Sequence, residues 1–300
     1  MTLHQKFLVV GGDSLVGNSV VQALQARGHV AFSTTRRQET VDETRVFLDF
    51  ESQTPFIAPL GMDYAFIIAA ATNYDRCEND PLARIINVEH IPRLVKGLLQ
   101  QGVFVTFIST NSVFGGDRPW PQEDDPHAPS IAYALQKSEG EAVIVADAAL
   151  LNATHLLNIT RLTKILAPDT PPIPAWSAAF TSSKTVEPFE DLIFAPMSVN
   201  FVGEALATIG EKRVAGNLHL SGAANVSYVE FAHAIAQRLG ADEKLIAPTT
   251  SVAKDIHIAF KPRFSGLGMA RTTALTGVEP QPLSRVIADI FPPNTPQIRT

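Results

Sequence analysis

The sequence predicts a doubly wound α/β protein, a parallel sheet with helices on both faces, joined to a smaller C-terminal lobe. Three observations predict it. Short apolar runs alternate with longer amphipathic ones through the first 165 residues, the pattern that successive βαβ units require. One of the short runs, VFVTFI, is apolar almost throughout instead of alternating, as a strand buried on both faces must be. The chain also enters, at KFLVVGGDSLVGNSVVQAL, a strand, a tight turn with glycines at 11, 12 and 17, and a helix.

Strands are predicted near 6–10, 30–34, 45–49, 64–70, 103–109 and 155–161, with helices over 15–27, 81–101 and 131–148 between them. LLQQGVFVTFIST shows one join, a helix that ends at Gly102 and a buried strand that starts at once. After residue 165 the texture changes to APDTPPIPAW, whose prolines at 168, 171, 172 and 174 are expected to form a long surface loop. A helix over 200–210, a short strand around LHLSG, a helix over 228–239 and a last helix near 283–290 follow. The expected division is a dinucleotide-binding domain over 1–165 and a substrate-binding lobe over 166–300, partly interleaved because the last sheet strands flank insertions.

Composition narrows the function. A 45% hydrophobic chain of 300 residues can fill a large core. Its 24 basic against 30 acidic residues, with no basic stripe, make nucleic acid an unexpected partner. Cys77 is the only cysteine, so no intrachain disulfide forms, no metal is expected, and a reduced cytoplasmic location fits. The apolar run in MTLHQKFLVVGG is too short for a signal-peptide core, and no stretch approaches the roughly 20 apolar residues of a membrane span.

In a turn of the GGDSLVG kind, small residues let backbone N–H groups at a helix N-terminus approach a pyrophosphate, which makes Gly11, Asp13, Ser14, Leu15, Val16 and Gly17 candidate cofactor contacts. The middle glycine of the usual pattern is Ser14. About 20 residues on, an NAD site offers an acid for the ribose hydroxyl; this chain reads AFSTTRRQE instead. Arg36 and Arg37, beside Thr34 and Thr35, suit a 2′-phosphate, because a guanidinium binds phosphate as a fork. NADP(H) is therefore expected, with NAD(H) left open.

YALQKSEGE sets Tyr133 and Lys137 four apart, neighbours on one helix face. The spacing alone is that of many solvated pairs. Together with GGDSLVG, FLDF at 47–50, AAATNYDRCENDP at 69–81 and ISTNSVFGG at 108–116, it resembles the extended short-chain dehydrogenase/reductases, a Rossmann-fold family. Within them the chain is most similar to the dTDP-4-dehydrorhamnose reductase branch, which the segment KPRFSGLGMARTTALTG also resembles. The resemblance implies a reductase of a nucleotide-linked 4-keto sugar in which Tyr133 protonates the substrate carbonyl oxygen. Lys137 would favour the tyrosinate and hold the nicotinamide ribose. A drop of about three units in the phenol's pKa would need roughly 4 kcal/mol of differential stabilisation.

The same resemblance gives Thr110 a hydrogen bond to that oxygen and puts Asn111 beside the substrate. It puts Asp49 and Phe50 near the adenine, although a strand-end aspartate is often only a turn former. Ala69, Ala70 and Ala71 let the cofactor close on the backbone or simply pack. Asn87 lies behind the site or is structural, and Glu141 is structural. Arg161, Thr163 and Lys164 line the nicotinamide pocket or merely end a strand. Where the branch has STDYVFDG this chain has STNSVFGG, which puts the sugar's identity in question. Two other functions stay open, a nucleotide-sugar epimerase or dehydratase on this fold, and a non-catalytic NADP-binding regulatory subunit. Exposed faces of the helices over 81–101 and 131–148 could pair two copies into a homodimer.

Overall fold

The computed structural model describes residues 4–52, 56 and 58–293. Its central sheet is made of β1 (Lys6–Val10), β2 (Val30–Thr35), β3 (Arg45–Phe47), β4 (Tyr64–Ile67), β5 (Phe104–Thr110), β6 (Leu157–Leu162) and, from far along the chain, a strand over Gly216–Leu220. All pairings are parallel, and the order is β3, β2, β1, β4, β5, β6 and then the 216–220 strand. The order reverses between β1 and β4. In such sheets a crevice opens there, at the carboxyl ends of the strands.

Two apolar layers sandwich the sheet. On one face Phe7, Val9, Tyr64 and Phe66 pack under α1 (Leu15–Ala26) and under the later helix Val199–Lys212. On the other face Leu8, Ile67, Val105 and Phe107 meet the helices between β4 and β5 and the long helix after β5. The second layer is carried by helices whose buried faces are read directly from sequence. In the helix Ile91–Gln100, for example, Ile91, Val95, Leu98 and Leu99 fall on one side at helical spacing. A third core, with Phe180, Phe194, Phe231, Ile235, Val286 and Ile290 among its members, belongs to residues beyond 165.

The predicted helix over 81–101 is several pieces. After a short helix α2 (Tyr74–Asn79) that the sequence does not predict, they are α3 (Pro81–Ile85), a π-helical turn over Ile86–His90 and α4 (Ile91–Gln100). Pro92 lacks an N–H and interrupts the regular ladder at that turn. The next helix, α5 (Ala132–Leu150), carries Tyr133 and Lys137 on its first turns.

The proline-rich segment differs from expectation. Only its first half is loop, for α6 (Ile173–Thr181) starts directly after Pro172 with Pro174 in its first turn. A proline there gives up an N–H that has no intrahelical acceptor anyway, so it begins a helix without cost. The helix α7 (Val199–Lys212) and strand over 216–220 return to the sheet. α8 (Tyr228–Leu239) begins on a capping box between Ser227 and Glu230 and stops at Gly240, whose φ of +73° is left-handed. α9 (Ala270–Thr276), which the sequence does not predict, and α10 (Leu283–Ile290) are the last described elements. Among the described residues no helix is long and apolar enough to cross a membrane.

Candidate active site

A cleft of about 600 Å³ opens at the reversal point between β1 and β4. Its floor is the first glycine turn. Gly11 has φ +96°, and a Cβ on it would lie 2.7 Å from the Ala69 nitrogen; one on Gly17 would lie 2.1 Å from the Gly11 carbonyl oxygen. The turn therefore presses on the end of β4 and on its own helix at distances only glycine permits. Ser14 caps α1, its Oγ donating to the Gly11 carbonyl at 2.7 Å and accepting the Gly17 N–H at 3.0 Å. Gly11, Asp13, Ser14, Leu15 and Val16 line the cleft, whereas Gly17 sits beneath it as packing.

The two arginines after β2 part company. Arg36 lines the cleft and has no hydrogen-bonding or ionic partner among the described residues. Arg37 turns to Asp13, donating from Nη2 at 3.1 Å and from Nε at 3.3 Å, and lies outside the cleft lining. Arg45, not singled out from sequence, also donates to Asp13, and the Thr35 hydroxyl adds a bond of 2.6 Å. Burial pushes the Asp13 carboxyl up, but the hydrogen bonds from Arg37 and Thr35 and the charges of Arg37 and Arg45 outweigh it and hold the acid below its usual range.

Thr110, Tyr133 and Lys137 line the same cleft at its other end. Thr110 closes β5, and its Oγ1 accepts the Ser112 N–H at 3.2 Å, capping a short 3₁₀ turn over Asn111–Phe114. Lys137, 3% exposed, donates to the Ile108 carbonyl at 2.7 Å and lies 3.8 Å above the Phe107 ring. Burial pulls its pKa down to about 7, against the opposing charge of Glu141 one turn on. Burial also pushes the Tyr133 phenol well above its usual value, aided by Tyr74 and Cys77 and opposed by a hydrogen bond with Thr110. The direction is opposite to that expected from a neighbouring ammonium. In the protein alone burial is the largest influence on the phenol, and it acts against the expected direction.

The wall of the cleft is held from behind. Ala69, Ala70 and Ala71 all line it, and Asn87, on the π-helical turn, bonds both backbone groups of Ala71 and the side chain of Gln136 on α5. The Tyr74 ring packs against that of Tyr133 with centroids 5.5 Å apart. Asp49 and Phe50 line the cleft just past the end of β3, the edge strand.

Asn111 does not line it. Its amide donates to the Ser265 carbonyl at 2.9 Å and to the Ser265 hydroxyl at 3.0 Å, tying the 3₁₀ turn to the segment before α9. Thr163 is in the lining and Lys164 is not. Arg161 points behind α5, where Glu141 receives its guanidinium at 2.7 Å, both side chains almost wholly buried. Sequence reasoning missed Ser109. It lines the cleft at 5% exposure, and its hydroxyl has no hydrogen-bond partner among the described residues. The signal was its place beside Thr110 on the last residues of a strand aimed at the reversal point.

A family model of the RmlD substrate binding domain matches residues 5–293. The chain belongs to that family. The resemblance carried by YALQKSEGE and its companion motifs is thereby borne out. The chain is 26% identical over 284 residues to the dTDP-4-dehydrorhamnose reductase of Streptomyces griseus, a match that covers 92% of this chain and 89% of that one. It is 25% identical over 284 residues to methionine adenosyltransferase 2 subunit beta of Bos taurus, covering 91% and 83%. Among solved structures, dTDP-4-dehydrorhamnose reductase from Bacillus anthracis in complex with NADP shares its fold with a TM-score of 0.79 at 18% identity, over 97% of this chain and 99% of that one.

Proposed function

We propose that this member of the RmlD family is an NADPH-dependent reductase of a nucleotide-linked 4-keto-6-deoxy sugar, of the dTDP-4-dehydrorhamnose reductase kind. One observation carries the reading. A single cleft brings the glycine turn and the unpaired Arg36 at one end together with Thr110, Tyr133 and Lys137 at the other. The residues present fit a dinucleotide. The turn gives close backbone approach, Arg36 offers a free guanidinium, and the Ser109 hydroxyl is a buried donor in want of an acceptor.

Bound NADPH supplies the hydride. The chain's own residues supply the rest. Tyr133, kept protonated by its burial, gives its phenolic proton to the carbonyl oxygen of the sugar, which becomes the hydroxyl of the alcohol. Thr110 donates a hydrogen bond to the same oxygen and stabilises its developing charge. Lys137 attracts that charge and returns a proton to Tyr133, a task suited to an amine whose pKa lies at about 7. Asp49 and Phe50 hold the adenine end, and Ala69, Ala70 and Ala71 allow close packing along the cofactor.

The lobe beyond residue 165, with its own core, holds the nucleotide sugar over the cleft, and residues 1–165 hold the cofactor. Asn111 serves the substrate side by fixing the 261–277 segment through Ser265, not by contact with the sugar. We place the protein in the reducing cytoplasm and expect a homodimer through α5, whose outer face exposes Leu135, Val143 and Val145. A thermal-shift panel tests the binding half of this reading. NADPH at about 100 times its dissociation constant adds roughly 2.7 kcal/mol of stability. A dTDP-sugar should add a further shift, and no shift with any dinucleotide would reject the reading.

A further inference from the structure

The acid in the glycine turn is bound to two of the three arginines that the strand ends bring to it. Asp13 lines the main cleft together with Arg36, and it also lines a smaller hollow of about 380 Å³ on its far side, which Arg37 and Arg45 line. Thr35 fixes the carboxylate from a third direction. Arg37 and Arg45 are therefore held on the side of Asp13 away from Arg36, with their forks already engaged.

We propose that Asp13 sets the preference between the 2′-phosphorylated and the unphosphorylated dinucleotide, its carboxylate competing with a 2′-phosphate for Arg37 and Arg45. The inference rests on the reading of the cleft as a dinucleotide site. A ribose hydroxyl would join Arg37, Arg45 and Thr35 as one more donor to the Asp13 carboxylate and need not displace either guanidinium. A phosphate meets one free guanidinium, Arg36, and has to draw the other two from a carboxylate of its own sign. Three arginines without Asp13 would make a strongly NADP-selective site. With it, the site accepts both cofactors, and its choice is adjusted at one residue.

The test is the dissociation constant of NADPH and of NADH, measured by quenching of intrinsic fluorescence in wild type, Asp13→Asn and Arg45→Met. Asparagine keeps the size of the side chain and removes its charge. The expected result is a shift of about tenfold toward NADPH in the ratio of the two constants for Asp13→Asn, with a shift toward NADH for Arg45→Met. A ratio within twofold of wild type in both variants, or a shift of Asp13→Asn toward NADH, overturns the proposal. Wild type that binds neither dinucleotide overturns the cofactor reading and the proposal with it, whereas wild type that binds both while the variants leave the ratio unmoved overturns the role of Asp13 alone. Should Asp13→Asn fail to fold, Arg45→Met reads the same contest from the other side.

Discussion

The side-chain amide of Asn87 grips Ala71 by both of its backbone groups, accepting the N–H at 3.0 Å and donating to the carbonyl at 2.9 Å. Ala71 is a wall of the cleft, and Asn87 also bonds Gln136 on the helix that carries Tyr133 and Lys137. Replacing Asn87 by Ala leaves the buried Ala71 N–H unpaired, at about 1–3 kcal/mol, and leaves the Ala71 carbonyl with only the Cys77 thiol at 3.4 Å. Urea denaturation should show that loss, with weaker NADPH binding beside it. An unchanged midpoint would mean that the clamp carries no energy.

Lys137 makes stability depend on pH in a defined direction. Its folded pKa is near 7, far below the 10.5 of the unfolded chain, so between these values the unfolded state binds the extra proton and stability rises with pH. The slope for one group is at most ~1.4 kcal/mol per pH unit. Above pH 10 the rise should reverse, because Tyr133 ionises in the unfolded chain before it does in the fold. Melting temperatures from pH 6 to 9 should climb in wild type relative to Lys137→Met, and parallel curves would contradict the burial of this charge.

Gly17 tests the floor of the cleft. An added Cβ would meet the Gly11 carbonyl oxygen at 2.1 Å, and since that atom is backbone, the turn itself has to move. Overpacking of this kind costs about 1–3 kcal/mol. Gly17→Ala should also weaken NADPH by tenfold or more, which titration calorimetry reads directly.

The pair of Glu141 and Arg161 is a structural charge pair on the reverse side of α5. Removing one partner of a buried pair costs about 3–5 kcal/mol, because the other charge is left without compensation. Arg161→Leu should therefore destabilise more than the double variant Arg161→Leu with Glu141→Leu, as a double-mutant cycle by chemical denaturation would show.

The sheet and its helices were legible because a buried parallel strand is an uninterrupted apolar run and a covering helix repeats its apolar residues at 3.6. VFVTFI and the 283–290 segment needed nothing more. The cleft was legible for a different reason. Glycine spacing and the Tyr133–Lys137 interval are local, so the backbone carries them to the reversal point without help from distant side chains. What local pattern could not give were choices made across the fold. Arg37 turns to Asp13, 24 residues away, although Arg36 beside it does not, and Asn111 bonds Ser265, 154 residues away. The start of α6 at prolines was hidden because the residue that breaks a helix interior is acceptable in its first turn. The burial of Tyr133 was not legible because spacing shows a neighbouring cation but not the depth that both groups share.

The most direct measurement is the loss of NADPH absorbance during turnover of dTDP-4-dehydrorhamnose by wild type and by Tyr133→Phe. Wild type should consume one NADPH for each alcohol formed, while Tyr133→Phe should bind both ligands with affinity near wild type and turn over at least about 10²-fold more slowly. Conversion of the sugar without net consumption of NADPH, or a Tyr133→Phe rate equal to wild type, would contradict the account.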